Sequence, residues 1–168
     1  MRWTNPTRLT AIVIVISATI GVSGQQQPRS PAQSIRRQFE DVNQRLLEMA
    51  RDFPEAKYQY RPGPGVRSFP EVIVHAMSGN VYAAKIGRGE KANWDELDAK
   101  SYTTREQVVT ALQKSITEAT DALKRVPDER FTQTLEPWLS VIEHSAEHYG
   151  QLVTYYRANG LVPPASRK

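Results

Sequence analysis

The chain contains no cysteine among its 168 residues. It can therefore form no disulfide and present no thiolate, either as a metal ligand or as a nucleophile. A domain without that bracing must be held by its core, and this length allows one domain with a real core. The same absence excludes a lipid-modified cysteine at the N-terminus. Apolar runs are short beyond Val22, sustained two-residue alternation is missing, and there is no repeat or low-complexity tract. These absences argue against a multi-span membrane protein, a sheet protein and a solenoid. Charge of one sign is not clustered either. The chain carries 22 basic and 18 acidic residues and a pI near 9.4, but the two signs are interspersed. No phosphate-tracking surface for nucleic acid is evident.

The N-terminus reads as a segment apart from the fold. Met1 to Arg8 carries Arg2 and Arg8 and no acid, Leu9 to Val22 is almost wholly apolar, and Val22-Ser23-Gly24 is small. That order is the one of a secretory signal peptide, assigned here to residues 1–24. The apolar run is shorter than the roughly 20 residues a spanning helix needs. Export to the periplasm or the extracellular space is thus expected, with no stable membrane span after cleavage. The alternative is a membrane tether formed by an uncleaved signal. Residues 25–30 read as a polar linker and 31–166 as the domain.

Four helix-length segments follow. Ser30-Pro31-Ala32-Gln33 offers a cap, a proline suited to the first helical position and a capping box. Ile35, Phe39, Val42, Leu46 and Met49 then mark one apolar face up to Pro54. After a loop over 54–67, Ser68 with Glu71 opens a second helix bearing Val72, His75, Ala76, Gly79, Tyr82, Ala83 and Ile86. Its small residues would let a neighbouring backbone approach closely, and Gly87 and Gly89 end it. Residues 88–102 form a polar connection with Trp94 as an aromatic anchor. Thr103 with Glu106 is expected to box the third helix, striped by Val109, Leu112, Ile116, Ala119 and Leu123. The fourth runs from near Glu136-Pro137 to about Asn159, with Val141, His144, Ser145, His148, Leu152 and Tyr155 on one face. The fold class is all-α, a four-helix bundle.

Only three histidines are present, and their placement is informative. His144 and His148 are four apart, so on a helix they lie one above the other, about 5–6 Å between Cβ atoms. His75 sits on the apolar stripe of the second helix and faces the same interior. Bundle cores are where facing helices assemble metal sites, so His75, His144 and His148 are the candidate ligands. Three nitrogens leave a coordination position open, as in catalytic zinc sites. Such a set suits a divalent transition metal: zinc, nickel, copper or iron. The stretch His144-Ser145-Ala146-Glu147-His148 also spells H-x-x-E-H, a peptidase signature with glutamate as general base. Those peptidases need a further carboxylate ligand well downstream, and only 20 residues follow His148. Glu143, Glu147, Tyr149 and Gln151 flank the ligands, but their helical angles make them surface or packing residues rather than proton carriers.

The stretches Tyr60-Arg61-Pro62, Gly65-Val66-Arg67-Ser68-Phe69 with Val74-His75, Glu143 to Leu152 and Tyr156 to Ser166 resemble the DinB-like (YfiT-like) metalloenzyme superfamily. The resemblance covers roughly residues 31–166. It implies a four-helix bundle with one divalent metal on a histidine of the second helix and two of the fourth, here His75, His144 and His148. Characterised relatives include transferases and an isomerase that use low-molecular-weight thiols in the cytoplasm. An exported chain departs from that setting. A metal-dependent hydrolase or transferase acting on a small molecule is the leading expectation. The alternative is an exported helical bundle that binds metal or ligand without turnover. Relatives often pair as dimers, which leaves a homodimer open, although no stripe is left over for an interface.

Overall fold

The computed structural model describes Met1 and residues 29–167. Of the signal segment 1–24 and the linker 25–30, all but Met1, Arg29 and Ser30 lie outside the described residues. Every regular element among those described is helical. Four long helices are present, α1 (Pro31–Asp52), α2 (Phe69–Gly87), α3 (Arg105–Arg125) and α5 (Leu135–Ala158), with a single turn, α4 (Asp128–Phe131), before the last.

Local chemistry sets their ends. At α1 the Ser30 hydroxyl accepts from the Gln33 N–H and the Gln33 side chain accepts from the Ser30 N–H, at 3.2 and 3.1 Å, so two orphan donors are satisfied reciprocally. Pro54 follows the Phe53 cap and blocks continuation. At α2 the Glu71 carboxylate takes the Ser68 N–H at 2.7 Å. Beyond its last residue the backbone turns through Gly89, whose φ of +82° suits glycine. The expected box Thr103–Glu106 at α3 is corrected by one residue. Thr104 is the cap, and Gln107 rather than Glu106 closes the box. The Gln107 side-chain Oε1 also takes the Thr103 N–H at 2.8 Å, which favours this register over the neighbouring one.

α1 packs against α3 and α5, and α2 against the same two helices, so α1 and α2 face each other across the bundle. Two aromatic nuclei anchor the interior. Phe53 stacks on Phe69 with centroids 4.0 Å apart and Tyr156 meets Phe53 edge-on, while Phe39 meets Trp138 edge-on at 5.6 Å. The buried face of α3 differs from the expected stripe. Val108, Leu112, Ser115, Ala119, Ala122 and Leu123 are buried, and Val109 and Ile116 lie half-buried at its margin. The helix is rotated because small residues close it onto α2: a Cβ on Gly87 would meet Ala122 Cβ and Trp138 at 2.9 Å. Val42 on α1 is likewise half-buried, and its neighbour Asn43 is buried instead. Asn43 belongs to a polar ladder across three helices. Its amide donates to Phe39 O, its Oδ1 accepts from Asn80 at 2.8 Å, and Ser115 donates to Leu112 O. Among the described residues no helix is long and apolar enough to cross a membrane.

Candidate metal centre

α2 and α5 are neighbours running in opposite directions, with Gly79 beside His144 and Gly87 beside Trp138. This register sets His75 level with the α5 pair. His144 Nε2 lies 3.0 Å from His75 Nε2 and 3.1 Å from His148 Nε2. All three candidate ligands are therefore brought together, each half-buried.

The opposite ring nitrogens decide which way the lone pairs face. His75 Nδ1 is 2.7 Å from both oxygens of Glu96. A carboxylate only accepts, so Nδ1 carries the hydrogen, and in the neutral ring Nε2 carries the lone pair. His148 Nδ1 is 2.9 Å from Gln151 Oε1. The Gln151 amide is oriented in turn by donating from Nε2 to the Tyr155 hydroxyl, which donates to Arg67 O at 2.6 Å. His148 thus also carries its hydrogen on Nδ1 and its lone pair on Nε2. Two lone pairs converge on one point and His144 Nε2 completes the set. His144 Nδ1 is buried without a hydrogen-bond partner among the described residues. Its ring lies edge-on beneath Trp94 at 4.9 Å, and Trp94 stacks on Tyr82.

Electrostatics keep the α5 pair neutral. Burial first, then the charge that His148 and His75 would carry, lowers the His144 pKa from 6.5 to about 4. Burial also lowers that of His148, against the bond it donates to Gln151. Neutral imidazoles are the ligand form, since a metal must otherwise displace a proton. A tetrahedral ion at roughly 2.0–2.1 Å from nitrogen spaces its ligands by about 3.4 Å. The three rings therefore fit such an ion after a small outward relaxation.

A family model of the DinB superfamily matches residues 38–154. The chain belongs to the DinB superfamily. No curated protein matches it. The match spans α2, the α2–α3 connection and most of α5, so all three histidines of this DinB superfamily chain fall within it.

Several flanking residues take their places as expected. Glu143 and Glu147 are exposed, and Tyr149 is half-buried under the Arg45 guanidinium. Gln151 is corrected: it touches His148, because three residues along a helix lie on the same face. Glu96 was not anticipated. It comes from the connection, 21 residues beyond His75, where helical spacing carries no information. Trp94 is an anchor, but of the site itself. The space at Gly79 admits this indole rather than a neighbouring backbone, for a Cβ there would stand 2.7 Å from Trp94 Cζ2. Ser145 is fully buried, with no hydrogen bond to its hydroxyl among the described residues. A cleft of about 330 Å³ lined by Arg67, Glu71, Glu96, Leu97, Asp98, Ala99 and Lys100 adjoins the carboxylate that touches His75.

Proposed function

We propose that this chain is an exported member of its superfamily that holds one divalent transition metal on His75, His144 and His148 and acts on a small molecule by hydrolysis or group transfer. The observation carrying this reading is the convergence of three Nε2 atoms within 3.0–3.1 Å contacts while Glu96 and Gln151 occupy the far nitrogens of two rings. A bound metal would act as a Lewis acid on a group at its open position. Burial keeps the two α5 rings neutral, Glu96 and Gln151 fix the His75 and His148 rings, and Trp94, stacked on Tyr82, covers His144. The N-terminal order of arginines, apolar run and small residues supports export, and interspersed charge supports a small-molecule partner over nucleic acid. Thiol cofactors of the cytoplasm do not suit an exported enzyme, so the substrate stays at the level of a small molecule.

The test is metal content of untagged mature protein by plasma mass spectrometry, beside a His144→Ala/His148→Ala double variant. Near one equivalent in the first and none in the second is the expected result. Neither protein retaining metal after incubation with zinc, nickel and iron would sink the proposal. The enclosure of His144 beneath Trp94 favours a second reading, metal binding without turnover. Cobalt-loaded protein separates the two, because azide shifts its visible spectrum only where a coordination position exchanges.

A further inference from the structure

We infer that Glu96 is the positioning residue of the metal centre, and that the α2–α3 connection is the strap that delivers it. The inference rests on the metal-binding reading above. Glu96 touches no ion site directly. It accepts the His75 Nδ1–H with both oxygens at 2.7 Å, which holds the ring in the one tautomer whose Nε2 can donate a lone pair. Arg67 braces it from the other side, 3.4 Å from Oε1.

The strap has no helix to rigidify it at this point, so its seating depends on contacts to α2 on both sides of Glu96. After it, the Leu97 N–H donates to the buried Ser78 hydroxyl at 3.0 Å. Before it, the Trp94 indole occupies the space that Gly79 leaves and stacks on Tyr82 at 5.2 Å. Ser78, Gly79 and Tyr82 are the turns of α2 that follow His75. The ligand and the carboxylate that orients it are thus registered against the same stretch of helix. A structural salt bridge with Arg67 alone would contribute little, since both partners are about half exposed.

Two readouts on the full mature chain test this. Long-range ¹H–¹⁵N correlation on the metal-free protein reads the His75 tautomer, and chelator competition with zinc reads affinity. Wild type is expected to show the Nδ1–H form. Glu96→Ala is expected to lose that form and bind zinc about 10- to 100-fold more weakly, the range for removed partners of a ligating histidine. Glu96→Gln keeps an acceptor and is expected to retain the tautomer and most of the affinity. Ser78→Ala, which frees Leu97 without touching a ring, is expected to weaken zinc in the same direction. An unchanged tautomer in Glu96→Ala overturns the role of Glu96, and so does a zinc affinity of Glu96→Ala equal to that of a wild type that binds. Full affinity in Ser78→Ala removes the strap. If the wild type binds none of zinc, nickel and iron, the metal reading fails while the tautomer experiment still judges the hold of Glu96 on His75.

Discussion

Acidification of the metal-free protein isolates what burying the histidines costs. In the unfolded chain the His144 imidazole takes its proton near 6.5, and in the folded chain only near 4. Between those values the unfolded state binds more protons, so stability falls as pH drops from 6.5 towards 4 and is unaffected by this group above 6.5. Each tenfold change in acidity is worth roughly 1.4 kcal/mol, which gives about 3 kcal/mol for the full interval. The ring is only half-buried, and solvent screening reduces the expected loss to about 1.5 kcal/mol. Urea unfolding of chelator-treated protein at pH about 7.5 and about 4.5, followed by circular dichroism, measures it against His144→Gln. Lowered pKa values also link the Asp52 and Glu71 carboxylates to stability, in the acid range below their ordinary pKa. They are common to both proteins and cancel in the difference. Wild type is expected to lose more than the variant by about 1–2 kcal/mol on this reasoning. Parallel losses in the two proteins would refute it.

Three further outcomes follow from packing and linkage. Gly87→Ala drives a methyl to within 2.9 Å of Ala122 Cβ and Trp138 Cζ2. Overpacking of about 1–3 kcal/mol should outweigh the roughly 1 kcal/mol gain in helix propensity, seen as a lower urea midpoint. Leu112→Ala empties a fully buried site between α2 and α3 and is expected to cost about 2–5 kcal/mol in the same assay. Zinc at about 100 times its dissociation constant should stabilise the wild type by about 2.7 kcal/mol, and the His144→Ala/His148→Ala protein not at all, as read by thermal unfolding.

The two cores and the polar ladder show where apolar spacing stops being informative. Phe39, Leu46 and Met49 were legible as the inward face of α1 because a 3.6-residue period puts them on one side. Asn43 was not, since a buried amide looks like a surface residue until Asn80 and Ser115 stand opposite it. The half-buried rim of α3 was misjudged for a similar reason. Alanine and serine carry almost no hydropathic signal, yet they allow α3 to close on α2.

The sequence by itself determined the helical class, the capping boxes at Ser30 and Ser68, the stop of the last helix near Asn159 and the chemistry of the three histidines. These depend on neighbours within a few residues, where backbone hydrogen bonding and helical periodicity decide the outcome. Tertiary structure alone decided that α2 and α5 are neighbours and that their register brings three Nε2 atoms to one point. It also decided that Glu96 and Gln151 occupy the far sides of two rings while Trp94 covers the third. The contact of Glu96 with His75 spans 21 residues and a non-helical connection. No local periodicity encodes such a contact, because the packing of the whole bundle determines where the connection is seated.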